Sequence, residues 1–331
     1  MVSRREFVAL GAAFAGVTLA TWPRRAAHAA SAATTSARLS TDPAYSGDFP
    51  DPFVLRADDR YYAYATQRGR LAIQVMRSKN LSDWSRPREA LPELPSWADA
   101  GHTWAPAVLA RPQGYVLYYS VRHRASGLQC ISVAVAVSPD GPFVDRSSEP
   151  LIFQPRRGGS IDPSPFVDDD RRAYLVWKSD DNALGRPTSL WGARLRADGL
   201  GLDGRKTELL SQDAAWETPV IEGPAIVRAG DTYYLFYGGA WWESSRASIG
   251  YAAADKPLGP YGKATRREPW LSSRRAAAGP SGPHFFTDAD GAMWMAYHAW
   301  KPGRVGYADG GVRSLWLDRI RFTADRPVLG S

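Results

Sequence analysis

Three carboxylates are the residues best placed to do chemistry, each set close to a proline that opens an apolar strand. Asp51 lies in Phe49-Pro-Asp-Pro-Phe53. Asp162 lies in Ser160-Ile-Asp-Pro163, three places before Pro165, and Glu222 lies in Val220-Ile-Glu-Gly-Pro224, two places before Pro224. Taken singly, each reads equally well as a turn residue beside proline. Gathered in one half-enclosed cleft, they would repel one another and raise one another's pKa. One carboxyl could then donate a proton while another, ionised, takes one from water, which is general acid–base catalysis.

Such chemistry requires residues far apart in sequence to meet, and a repeat supplies the meeting point. Aromatic strands begin at Tyr61, Tyr115, Ala173, Tyr233 and Met293, at separations of 54, 58, 60 and 60 residues. Eight to ten residues upstream of each, a proline opens another apolar strand: Pro52, Pro106, Pro165, Pro224 and Pro283. Turn residues such as Ala57-Asp-Asp-Arg60 and Ala229-Gly-Asp231 lie between, so each pair reads as a hairpin. Third strands follow at Leu71 to Ser78, Ile131 to Ser138, Leu190 to Arg196 and Ile249 to Ala254. A period near 60 with three or four strands in each predicts an all-β, five-bladed β-propeller over residues 46–331. A pair of β-sandwiches competes, but sandwiches need no fixed period. In a propeller the first strands line the axis, so Asp51, Trp104-Ala105, Asp162, Glu222 and Ser281-Gly282 would converge at one mouth.

The blocks around Asp51, Trp104-Ala-Pro106, Asp162 and Glu222, in this order, resemble the signatures of glycoside hydrolase family 43, and the resemblance covers about Asp48 to Phe322. It implies a five-bladed propeller that cleaves arabinofuranosyl or xylosyl linkages with inversion. It makes Asp51 the general base, Glu222 the general acid, and Asp162 the residue that orients the acid and adjusts its pKa. Inverting hydrolysis needs one ionised and one protonated carboxyl, ~6.5 to 9.5 Å apart, and blades one and four are not neighbours. Arg313, in Gly310-Gly-Val-Arg-Ser-Leu315, resembles the family arginine that reaches the substrate or the acid. Trp104 and, more weakly, Phe53 are candidate sugar-binding walls, and Trp241-Trp242 candidates for the pocket rim. No cofactor is required. By the resemblance, His298 stands on the axis near a bound structural calcium or a water, touching the calcium directly or through water. The sequence supplies no oxygen-rich cage for it, and a lone histidine reads equally as a core residue. Glu217 is a rival acid upstream of the proline column, and Asp168-Asp-Asp170 reads as a solvated turn.

The chain has 331 residues, 44% of them apolar and 12% aromatic, enough to bury a core. Residues 1–29 carry the charged, apolar and cleavage regions of an export signal, with Arg4-Arg5 matching the twin-arginine type. A flexible tether over 30–45, rich in Ala, Ser and Thr, would follow. The product is then a secreted monomer with no membrane segment after cleavage. The formal charge is +7, and the leader holds Arg4, Arg5, Arg24 and Arg25 against Glu6, which leaves about +4 for the mature chain. Without a basic run longer than a pair, nucleic acid is excluded as the partner. Cys130 stands alone and reads as a buried small apolar residue. The expected function is release of terminal α-L-arabinofuranosyl residues from plant arabinan or arabinoxylan. β-Xylosidase or endo-1,5-α-L-arabinanase action are the alternatives on the same fold. A carbohydrate-binding propeller without catalysis is the alternative of another class, and it has no need of the acid triad.

Overall fold

A computed structural model describes residues 39–323 and 326–330, so the export signal expected over 1–29 lies outside the described residues. The chain forms five antiparallel sheets in sequence order, four of four strands and one, the second, of three. These are the five blades. Their second strands, Arg60–Ala65, Gly114–His123, Ala173–Ser179, Thr232–Gly239 and Met293–Trp300, are the aromatic runs that set the repeat. Each pairs with the strand before it and the strand after it. Ala173–Ser179 is buried at every position. Tyr, Phe, Val and Leu suit a strand packed on both faces, where side chains alternate toward the two neighbouring blades.

That alternation divides the core into five clusters, one in each gap between blades. In blade one Tyr62 and Tyr64 face Leu117 and Tyr119 of blade two, whereas Tyr61 and Ala63 face Phe286 and Ala296 of blade five. In blade three Leu175 and Trp177 pack toward blade two and Val176 toward blade four, and Phe236 meets Tyr297 between blades four and five. Because the gap between blades five and one is filled like the others, the ring closes. Buried Cys130 sits in the first of these clusters, as its apolar reading expects.

Two local expectations are corrected. Residues 39–45, assigned to the tether, are stitched to the last blade: Ser40 N–H donates to Asp318 Oδ1 at 2.6 Å, Ser40 Oγ to Leu317 O at 2.7 Å, and Tyr45 pairs with Leu315. An Ala/Ser/Thr-rich composition could not show these backbone partners. Asp168 is likewise no solvated turn residue. It is buried and accepts the Tyr233 hydroxyl at 2.7 Å and Arg228 Nη1 at 2.9 Å, so it joins blade three to blade four.

Candidate active site

Four of the five first strands break register as they reach the axis. In blade two the pairing runs Trp104 to Ser120 and then Ala107 to Tyr118, and in blade four Glu222 to Gly238 and then Ala225 to Phe236. Blades three and five do the same after Ile161 and Ser281. The first residue skipped by the ladder is Ala105, Asp162, Gly223 or Gly282, and Asp51 takes the corresponding place in blade one. All five have left-handed backbone, with φ of 53° (Asp51), 44° (Ala105), 57° (Asp162), 59° (Gly223) and 63° (Gly282). All five precede a proline.

The pattern has a physical cause. A bulge leaves a residue without a ladder partner, and proline fits there because it has no N–H to leave unpaired. Aspartate enters left-handed space more readily than most residues and glycine without strain. At Gly282 a Cβ would stand only 3.0 Å from His298 Nδ1, so glycine is also required by space. The bulge corrects the sequence alignment in one blade: the proline equivalent to Pro52, Pro106, Pro224 and Pro283 is Pro163, not Pro165. Asp51 and Asp162 therefore occupy the bulge itself, and Glu222 the paired position just before it.

Four hydrogen bonds tie the bulges of successive blades together. Asp51 N–H donates to His298 Nδ1 of blade five at 3.1 Å, Ala105 N–H to Thr66 Oγ1 of blade one at 2.9 Å, and Asp162 N–H to Ser120 Oγ of blade two at 3.0 Å. Gly223 N–H donates to Asp162 Oδ2 at 2.9 Å. Asp162 thereby holds the backbone of the residue next to Glu222. The bulges open on one cavity of about 570 Å³, lined by Asp51, Asp162, Glu222, Trp104 and Arg313 among others. Phe53 and His298 reach it too, although the Phe53 ring is mostly buried and stacked on His284 with centroids 3.7 Å apart. All six residues expected at the mouth besides His298 are thus brought together. Glu217 is not: it is fully buried, accepts the Asp213 and Ala214 amides and the Tyr237 hydroxyl, and pairs with Lys263 at 2.7 Å. Every acceptor it has is used, so its role is structural.

The carboxyls are held in opposite states. Burial alone would raise Asp51, but Arg313 Nη1 at 3.2 Å and the Thr66 hydroxyl at 2.6 Å outweigh it and hold the group below the usual aspartate range. His298 contributes no positive charge near neutrality, because burial and Arg313 push its imidazole down to about 3. Asp162 is raised to about 7 by burial and then by repulsion from Glu222, against the pull of Lys178 and Gly223 N–H. Glu222 is raised as well, by burial first, with Lys178 the main opposing influence and Asp51 adding to the rise. One side of the cavity is therefore anionic at neutral pH, while the other side retains a proton.

His298 Nδ1 accepts the Asp51 amide, so the neutral ring carries its proton on Nε2, a buried donor with no partner among the described residues. A protonated nitrogen is not a metal ligand. Among the described residues no three His, Cys, Asp or Glu side chains come together as a metal cluster, whereas calcium takes six to eight oxygens. These residues do not fit a calcium site, and no step is routed through one.

Sequence reasoning passed over Lys178 and Thr66. They belong to the column of Thr66, Ser120, Lys178, Gly238 and His298: Lys178 pairs with Ile161 beside the bulge of blade three, and Thr66, just after the second strand of blade one, donates its N–H to Pro50 O at 3.1 Å. The column was visible in the repeat. Its five dissimilar residues concealed a shared task. Arg313 is also more firmly held than its surroundings in sequence suggest. Nε donates to the Tyr307 hydroxyl at 3.1 Å, the guanidinium lies 4.5 Å from the Trp242 ring, and Tyr307 in turn donates to Asp48 at 3.1 Å. Trp241 and Tyr307, each 42% exposed, leave an aromatic surface on that side of the cavity.

Comparison with known proteins agrees with this layout. The family described as glycosyl hydrolases family 43 matches residues 40–327. A solved thermostable family-43 glycoside hydrolase is 27% identical, with a TM-score of 0.76 over 86% of this chain and 93% of that one. The extracellular exo-α-(1→5)-L-arabinofuranosidase of Cellvibrio japonicus is 27% identical over 57% of this chain and 58% of its own length. The xylan 1,3-β-xylosidase of a Vibrio species is 25% identical over 78% of this chain and 49% of its own length. The chain spans about half the length of the curated relatives it matches.

Proposed function

Because the chain belongs to glycosyl hydrolases family 43, we propose that it is a secreted, inverting hydrolase releasing terminal α-L-arabinofuranosyl residues from plant arabinan or arabinoxylan. One observation carries the reading: three carboxyls from three blades face a single cavity, one held ionised by Arg313 and two raised toward neutrality. A binding propeller has no use for that division. In this reading Asp51 takes a proton from water as the water attacks the anomeric carbon, and Glu222 gives a proton to the departing oxygen. Asp162 orients the acid through Gly223 N–H, while burial and the charge of Asp51 help the acid retain its proton. Trp104 stacks on the sugar, and Arg313 fixes the base.

Arabinofuranosidases and xylosidases both stand among the similar proteins, so the substrate is the step to test. A screen on aryl α-L-arabinofuranoside and aryl β-xyloside is expected to give the higher kcat/KM on the former. A preference for the xyloside would replace the substrate, and turnover of neither would favour the binding alternative.

The pH dependence follows from the same environments. The base works only when ionised, so activity falls as pH drops through the pKa of Asp51, below the usual aspartate range. The acid works only when protonated, so activity falls as pH rises through the titration of Glu222, which burial raises above the usual glutamate range. A bell-shaped kcat/KM profile with these two limbs is the expected result. A rate that stays level well above neutrality would contradict the protonated acid.

A further inference from the structure

Lys178 is 1% exposed, on the wall of the cavity, and unusual there as a buried ammonium. It is the last residue but one of the second strand of blade three, Ala173–Ser179, and the chain beyond it turns back over it. Nζ is 2.8 Å from Asn182 Oδ1, 3.0 Å from Asp180 Oδ1 and 3.7 Å from Glu222 Oε2. The first two are hydrogen bonds. The third is too long for one, so the ammonium acts on Glu222 by charge and leaves its oxygens free for a leaving group. Among the described residues no side chain or amide hydrogen-bonds to the Glu222 carboxyl, and Lys178 is its one ion-pair partner.

The charges facing Glu222 come from blades one, three and five. Asp162 on blade three, Asp180 on the turn beyond Lys178 and Asp51 on blade one are acids; Lys178 and Arg313 are the cations, and neutral His298 lies behind Asp51. Arg313 is engaged with Asp51 at 3.2 Å. Lys178 is thus the cation left to Glu222. A general acid must release its proton as well as hold it, and the charges of Asp51 and Asp180 oppose release.

We propose that Lys178 is a positioning residue that supplies the counter-charge allowing Glu222 to give up its proton in the reaction, anchored for that task by Asp180 and Asn182. The inference rests on Glu222 being the acid. The proton moves from Glu222 to the departing glycosidic oxygen, and the carboxylate left behind is stabilised by the ammonium. Lys178 itself neither gains nor loses a proton.

Lys178→Gln tests this, since the amide keeps a donor toward Asp180 while removing the charge. The alkaline limb of kcat/KM is expected to move up by about one pH unit or more, because a cation lowers the proton affinity of a nearby acid. At the optimum, kcat/KM on substrates with poor leaving groups is expected to fall ~10-fold or more, with activated aryl glycosides changed less than about 3-fold. Lys178→Arg should restore both. If the limb stays in place, or if good and poor leaving groups lose rate equally, the proposal is overturned. Should Lys178→Gln fail to fold by thermal unfolding, Lys178→Met carries the same readouts. Failure of the underlying reading shows differently: Glu222→Gln would then leave the alkaline limb intact, whatever Lys178 does.

Discussion

Glu222→Gln is expected to lower kcat/KM on natural arabinofuranosyl linkages by about 10² to 10⁴ while leaving substrates with good leaving groups within roughly tenfold of the parent. An alkoxide leaving from a sugar needs a proton as the bond breaks, whereas a nitrophenolate departs without one. Glutamine keeps the size of the side chain and its place opposite Gly238, but it cannot donate the acidic proton. Because no described group hydrogen-bonds to the Glu222 carboxyl, little structure is lost with it, and the fold should survive. The measurement is kcat/KM against leaving-group pKa: the variant should show a steep dependence where the parent is shallow. Equal losses across the series would remove Glu222 from the acid's role, and the alkaline limb should vanish in the variant.

How much of this was legible in the sequence depends on whether the cause lay in one strand or between strands. The second strands announced themselves, since Ala173–Ser179 is buried on both faces and must be apolar and aromatic along its whole length. The period of that run gave the blade count, and the position of Asp51, Asp162 and Glu222 near proline gave the mouth. The left-handed bulge was not legible. Ser160-Ile-Asp-Pro-Ser-Pro165 offers two prolines, and only the break in pairing after Ile161 shows that Pro163 is the equivalent one. Lys178 was hidden for a related reason. Thr66, Ser120 and His298 each accept a neighbouring blade's amide, a relation between strands that residue type cannot express, and lysine at the same place turns instead to Asp180, Asn182 and the charge of Glu222. Asp168 carried a turn composition, and its partners Arg228 and Tyr233 belong to the next blade.

Asp51→Asn is the sharper test of the whole arrangement, because its loss should not depend on the leaving group. Asparagine tolerates left-handed backbone as aspartate does, so the bulge at φ 53° survives where alanine would strain it. The Thr66 hydroxyl can still donate to the side-chain oxygen. What disappears is the charge that Arg313 holds below the usual range, and with it the means of taking a proton from water. Turnover is expected to fall by at least about 10³ on natural and activated substrates alike. Arg313 would be left buried without its anion, so some loss of thermal stability should accompany the change. In the parent enzyme, proton NMR of the first-formed sugar should show the anomer opposite to that of the substrate. In the proposed reading, water activated from blade one and a proton delivered from blade four act on opposite faces of the sugar, and a single displacement between them would invert the centre. A retained anomer would require a carboxylate to attack the sugar directly. In that case Asp51, with its charge already secured by Arg313, would be a nucleophile and not a base.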